Sequence, residues 1–493
     1  MSKRTAIIDI GSNSARLVIY EQSSRYGFRL ICEQKSKVRI GEGAYINGGF
    51  LQPIGINRAY NALDAFKQTI ENYKAHKTLC VATSALRDAP NSKEFTQLIK
   101  KNINLNIKVI DGKEEAFYGG VAVLNLLTKE DVVTIDIGGG SSDITLIRNG
   151  EIEDRFSLNL GTVRLKELFF DDNEKVKEAK EYIKQELSNL PKNFKLNTIV
   201  AIGGSARTIA DMIIKTSKYP LHKLHGFQYK LKEYDDLLSR IVSSNMEDLG
   251  DFEISQDRHD TIREGILIFL EISKYLEAKN VITSGVGVRE GVFLTNFLKK
   301  SSLKFPNDIN PSIQNILDRF DSCQGDKFDN QKRQAIKKLA EIFSSNFEIK
   351  KIFLFELQSA IKMSEIGKNL TIYKAHKHSF YIALEELNYG FTHKQMILIA
   401  MLLKAGKKAK LKKYLYNKYK SILPNKKTLK WHLFLYSITL LIFEFSNDAK
   451  VSFLFENNTL YIKSNQSLYL LKERLGEIEK PADFNIEVVD NKA

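Results

Sequence analysis

Residues 134–147 read TIDIGGGSSDITLI, and residues 5–19 read TAIIDIGSNSARLVI. Each is a short β-rich run ending in Ile-Asp-Ile-Gly, then a Gly/Ser/Asn turn and a second β-rich run. Placing Asp9 on Asp136 places Gly11 on Gly138, Ser14 on Ser141 and Arg16 on Asp143. A β-turn-β unit that occurs twice implies two related halves with a ligand between them. A tight Gly/Ser hairpin leaves backbone N–H groups and hydroxyls unshielded, which suits it to surround phosphate oxygens. The candidates for that role are Gly11, Ser12, Asn13, Ser14 and Arg16 in the first turn, and Gly138, Gly139, Gly140, Ser141 and Ser142 in the second. Asp9 and Asp136, at the ends of the preceding strands, are placed to hold Mg²⁺ directly or through water.

Outward from the turns, β-rich runs such as TLCVAT, IKVI, VVTIDI, TIVAIG and NVITSG alternate with helical patterns over 57–73, 114–127 and 258–276. This alternation predicts α/β domains with helices packed on sheets. The stretch SSLKFPNDINPS (301–312) holds two of the eight prolines and reads as a linker. Beyond it strands largely stop and helical periodicity takes over, apart from a hairpin predicted to turn at Asn457 and Asn458.

Lys and Arg outnumber Asp and Glu by 74 to 59, a formal charge of +15. That balance favours a polyanionic partner, whether nucleic acid, a phosphate polymer or an acidic membrane. Lysines recur from Lys404 to Lys430 without one acidic residue. Such a run attracts a polyphosphate or RNA backbone by counterion release, and its interleaved tyrosines leave RNA open as a partner. The apolar run Leu433–Phe443 is shorter than the roughly 20 residues of a membrane span and reads as a buried helix. No signal-peptide core is expected at the N-terminus, and Cys32, Cys80 and Cys323 are too scattered for a disulfide framework or zinc site. The reading is cytoplasmic, with no membrane.

In DGKEEA (111–116), Asp111 is suited to cap the following helix and Glu114 to complete a capping box, which leaves Glu115 without a structural task. A carboxylate with no structural task is a candidate general base. Arg87, in TSALRDA, sits where a βα loop can aim a guanidinium at phosphate.

Taken in order, AIIDIGSNSARLVI, VATSALRDA, DGKEEA, TIDIGGGSSD, AIGGSARTIA and TSGVGVREGV resemble the exopolyphosphatase/guanosine pentaphosphate phosphatase family. The resemblance implies two duplicated actin-like (ribonuclease H-like) α/β domains, 1–125 and 126–303, followed by a mainly helical, HD-like domain, 304–493. It implies Glu115 as catalytic base, Arg87 as substrate clamp, Asp143 with Asp136 at the Mg²⁺, and Arg207 as a distal phosphate contact. Arg289 and Glu290 are expected either at phosphate or as a structural pair. In the HD-like segment IKMSEIG, Ser364 and Glu365 replace the usual His-Asp pair, so that domain is expected to be non-catalytic, with His376 and His378 packing or touching phosphate. The implied activity is release of terminal phosphate from inorganic polyphosphate, with guanosine pentaphosphate as the rival substrate, and the implied assembly is a homodimer. A non-catalytic alarmone sensor is the alternative of another class. Retention of Glu115 argues against it.

Overall fold

The computed structural model describes residues 3–128, 130–171, 175–320, 326–349, 351–444 and 450–490. Cys323 lies outside them. The chain forms two compact units, Met1–Pro311 and Ser312–Ala493, whose boundary falls in the proline stretch.

The first unit holds two sheets of matching design. In one, β1 (Lys3–Ile10), β2 (Ala15–Gln22), β3 (Phe28–Ser36), β4 (Lys77–Ala82) and β5 (Ile107–Val109) lie in the order β3-β2-β1-β4-β5. In the other, β6 (Val132–Ile137), β7 (Ser142–Arg148), β8 (Glu151–Leu158), β9 (Thr198–Ile202), β10 (Gln228–Lys230) and β11 (Asn280–Thr283) lie in the order β10-β11-β9-β6-β7-β8. Both have an antiparallel meander on one side and parallel crossovers on the other, the strand order of the actin-like fold, and the second adds β10 antiparallel to β11 at its far edge. The central strands carry near-continuous apolar runs because helices cover both faces; Ile7, Ile8, Ile10, Val133 and Ile135 are fully buried.

Register places the repeated residues. Asp9 pairs with Arg16 across β1 and β2, and Asp136 with Asp143 across β6 and β7. Each turn closes with the same bond: Gly11 N–H donates to Ser14 O at 3.1 Å, and Gly138 N–H to Ser141 O at 2.9 Å. The parallel neighbours β4 and β9 end beside the same turns and lead into Thr83-Ser84 and Gly203-Gly204.

The helix Gly112–Leu126 lies on β7 and β8 of the second sheet and against the helix Val288–Phe297, so the segment 1–125 ends inside an element packed on the second sheet. A Cβ at Gly120 would come within 2.7 Å of Thr145 Cγ2, and Gly291 leaves room for the backbone carbonyl of Tyr118. From the other side of Val288–Phe297, Phe293 stacks on Tyr20 of β2 at 4.3 Å and ties the two sheets together.

The second unit is mainly helical. Its core gathers Phe343, Trp431, Phe434 and Phe484, and the run Leu433–Phe443 falls in and just after the buried helix Lys426–Ile442. The predicted hairpin forms between β12 (Val451–Glu456) and β13 (Thr459–Ser464), with Asn457 and Asn458 both left-handed at φ 47° and 58°. Sequence pattern missed β14 (Asn485–Asp490), which adds in parallel to β13. Among the described residues no helix is long and apolar enough to cross a membrane.

Candidate active site

The two hairpins face each other closely. A Cβ on Gly139 would sit 2.8 Å from Ser12 Cβ, and Gly140 is hemmed in by Ser12, Ser84 and the Tyr45 hydroxyl, so glycine is required at both. Ser12 and Ser84 hydroxyls are hydrogen-bonded at 3.1 Å. Between the hairpins lies a cleft of about 170 Å³ lined by Asp9, the turns Gly11–Ser14 and Gly138–Gly139, Ser141, Glu115 and Asp136.

Asp136 and Asp143 stand directly opposite each other on adjacent strands, where two like charges destabilise a sheet. Burial pushes Asp136 up to about 6, with Arg207 opposing. Burial pushes Asp143 up to about 7, with the Ser157 and Ser141 hydroxyls opposing and Asp136 adding to the rise. Gly112, at the start of the helix Gly112–Leu126, leaves room for Ser157 and would place a Cβ 3.6 Å from Asp143 Oδ1. Glu115, on the first turn of that helix, is buried, and its carboxyl is raised well above the usual range by burial and by Asp143, while Arg87 pulls it down.

Mg²⁺ prefers one or two carboxylates completed by water and phosphate oxygens. Asp136 and Asp143 fit that demand: they face each other, and Asp143 Oδ1 is buried with no hydrogen-bond partner. Asp9 is balanced across its ladder by Arg16. Among the described residues no group of three or more His, Cys, Asp or Glu gathers to hold a metal by itself.

Cations line the rest of the cleft: Arg16, Lys35, Lys37, Arg207, Arg258 and Arg289. Arg207 is pushed down to about 10 by burial and by Arg16 and Arg289, with Asp136 opposing. Burial and the charges of Arg16 and Arg258 likewise lower Lys35. Cations crowded until they weaken one another form a site for an anion. Lys35 and Lys37 went unread because β3 was not recognised as a strand; a pair of lysines two apart at the end of that strand and just past it was the available signal. Arg258 lies against Gly204, where a side chain would collide with its guanidinium, and donates to Thr208 Oγ1 at 3.1 Å. Across the cleft mouth, Asp260 accepts from Arg39 at 2.6 Å and pairs with Lys37 at 2.9 Å.

Other expectations landed differently. Ser142 is fully buried and donates to Leu160 O at 2.6 Å, so its hydroxyl does not face the cleft. Asp111 caps its helix by accepting from Glu114 N–H at 2.7 Å, but the capping box is not completed: the Glu114 carboxylate accepts from Tyr118 at 2.8 Å and pairs with Lys108. Arg87 pairs with Glu115 at 3.1 Å and, more loosely, with Asp88 at 3.5 Å. Arg289 and Glu290 turn to different partners. Arg289 binds Glu33 at 2.8 Å, whereas Glu290 accepts from Gly287 N–H and from the Tyr20 hydroxyl. In the second unit Glu365 pairs with Lys368, and His376 packs on Gly406.

The sequence model of the Ppx/GppA phosphatase family matches residues 18–300. The chain is 31% identical over 297 residues to a bifunctional 3-dehydroquinate synthase/phosphatase of Fusobacterium nucleatum; the match covers 57% of this chain and 44% of that protein, so the chain spans less than half of that relative. It is 27% identical over 411 residues to a guanosine-5'-triphosphate,3'-diphosphate pyrophosphatase of Pseudoalteromonas translucida, covering 80% of this chain and 79% of that one. A crystal structure of the Aquifex aeolicus family member is 30% identical, with a TM-score of 0.53 over 61% of this chain and 99% of that one. An exopolyphosphatase from Cytophaga hutchinsonii, 24% identical, shares the fold with a TM-score of 0.56 over 62% of this chain and 100% of its own. The duplicated hairpins, the cleft between them and the match over more than half its length together make this chain a member of the Ppx/GppA phosphatase family.

Proposed function

We propose that the chain releases terminal phosphate from inorganic polyphosphate. The observation that carries this reading is the lining of the cleft, where Arg16, Lys35, Lys37, Arg207, Arg258 and Arg289 stand among hydroxyls and glycines. A linear phosphate polymer needs a track of cations and nothing for a base or sugar. Among the described residues that line the cleft there is no aromatic ring for a guanine to stack on.

The terminal phosphoryl group would lie between Gly11–Ser14 and Gly138–Ser141, where backbone N–H groups and serine hydroxyls meet its oxygens. Glu115 takes a proton from the attacking water. A buried carboxylate with a raised pKa is a better base near neutral pH than an ordinary glutamate, because it holds that proton more firmly. Arg87, which pairs with Glu115 at 3.1 Å, would keep the carboxylate aimed and meet the substrate when one binds. Asp136 and Asp143 would hold Mg²⁺, which when bound neutralises charge on the phosphoryl oxygens. Arg207 and Arg289 offset the charge left on the shortened chain.

Guanosine pentaphosphate is the second reading, favoured by the pyrophosphatase from Pseudoalteromonas translucida at 27% identity. A side-by-side measurement of kcat/KM on long polyphosphate, guanosine pentaphosphate and ATP separates the two. Polyphosphate is expected to lead by at least about tenfold. A lead for guanosine pentaphosphate would reassign the substrate while leaving the phosphohydrolase chemistry in place.

A further inference from the structure

The second unit carries a cluster of lysines that its own carboxylates do not answer. Lys408 pairs with Glu477 at 3.5 Å, Lys430 with Glu479 at 3.1 Å, and Lys407 with Glu444. Lys377, Lys404 and Lys412 have no such ion pair among the described residues. They converge all the same. Lys404 ends the helix His393–Ala405 with its ammonium 4.8 Å from the Phe380 ring and 5.3 Å from the Tyr381 ring, on the helix Ala375–Glu386. Lys377 is four residues before Tyr381 on that helix and so shares its face. Gly406, left-handed at φ 59°, packs on His376 and turns the chain toward Lys412. Burial and the charges of Lys377 and Lys412 lower Lys404, and burial with Lys404, Lys377 and His378 lowers His376.

Exposed aromatic rings occur in the same segments of the chain. Tyr373, just before the helix Ala375–Glu386, is 77% exposed and Tyr381 is 59% exposed; Tyr414, two residues after Lys412, is 61% exposed. Tyrosines normally bury much of their rings, so the open Tyr381 ring against Lys404, with the open Tyr373 and Tyr414 rings in the neighbouring segments, suits a partner with both flat apolar faces and negative charge.

We propose that this face of the second unit binds single-stranded nucleic acid, with Tyr373 and Tyr381 stacking bases and Lys377, Lys404 and Lys412 meeting the phosphates. Single strands offer every base as a stacking surface, whereas a duplex hides them and inorganic polyphosphate has none. Lysines alone would suit any polyanion; the rings select RNA or single-stranded DNA over polyphosphate.

The test is fluorescence anisotropy of the full chain with a labelled single-stranded RNA of about ten nucleotides, within the site sizes usual for such surfaces. Tyr373→Ala with Tyr381→Ala is expected to weaken RNA binding at least about tenfold, given the usual worth of a base–ring stack. The same pair should leave the affinity for polyphosphate, and hydrolysis of short polyphosphate, within about twofold. Tyr381→Phe on the Tyr373→Ala background should recover part of the RNA affinity, because the ring and not the hydroxyl stacks. Lys377→Glu with Lys404→Glu should weaken RNA binding and flatten its salt dependence, since each neutralised phosphate adds to the slope. RNA affinity untouched by loss of both rings would overturn the proposal and leave a general polyanion patch. Equal loss of RNA and polyphosphate binding on ring removal would overturn it as well, because the rings would then serve the local fold.

Discussion

The role proposed for Glu115 rests on its surroundings: it is buried beside Asp143 and held by Arg87 at 3.1 Å. Burial and Asp143 raise its pKa, and Arg87 pulls it back. Replacing Arg87 by methionine removes the only cation among those influences, so the carboxyl stays protonated to a higher pH. Because the carboxylate is the active form, the acidic limb of the pH profile of kcat/KM should move to higher pH in Arg87→Met; a move to lower pH would contradict the assignment. Asp136→Asn and Asp143→Asn should each raise the Mg²⁺ concentration for half-maximal activity, because each replaces a charged oxygen donor with a neutral one. Unchanged Mg²⁺ dependence in both would place the metal elsewhere. Several of these residues were legible from sequence because their neighbours already had structural tasks: Asp111 does cap its helix, and the residue after Glu114 is the one turned into the cleft. The Glu114 side chain was not legible, since its partners Lys108 and Tyr118 meet it only once β5 and the helix are in place.

At the scale of elements, the site depends on two hairpins touching. Gly139→Ala would drive a Cβ into Ser12, whose own Cβ is fixed close to the backbone and cannot rotate away. The hairpins must part by some tenths of an ångström, and since a misplacement of about 1 Å costs roughly 10²-fold in turnover, a loss of up to about tenfold is expected. A thermal melt close to that of the parent, combined with a fall of that size in phosphate release, is the expected pattern; full activity would mean that the hairpins do not both hold the reacting group. At the cleft mouth Asp260 occupies Lys37 and Arg39, which a long anion would otherwise meet. Asp260→Asn should therefore steepen the salt dependence of long-polyphosphate binding, by up to about one unit of slope for each freed cation. A flatter slope would mean that the pair closes the cleft and that no phosphate reaches it. The central strands were legible because they are apolar throughout. Of the edge strands, β5 was read from IKVI, but two others were not: β8, EIEDRFSL, carries four charged residues, and β3 is largely exposed along its second half. Edge strands answer to solvent on one side, so their sequences lose the signature that burial writes into β1 and β6.

The first unit as a whole follows from duplication. Two sheets of the same strand order each present a Gly/Ser hairpin and the mouth of a parallel crossover, and the cleft forms where the four turns converge. The halves differ in charge: Arg16 stands where its counterpart is Asp143, so one hairpin carries a cation and the other a carboxylate. The repeat, its spacing and the Arg16/Asp143 exchange could all be read from sequence. The wall that Lys35 and Lys37 form with Arg258 could not, because Arg258 is more than two hundred residues away in the chain and joins them only in the folded cleft. That a cationic track holds the polymer while one buried glutamate drives its hydrolysis is tested most directly by Glu115→Gln, with equilibrium binding of long polyphosphate and single-turnover phosphate release measured on the same preparation. Binding should remain within about twofold while release falls by about 10² to 10⁴, the usual worth of a positioned general base. Release that survives at the parental rate would contradict the role given to Glu115.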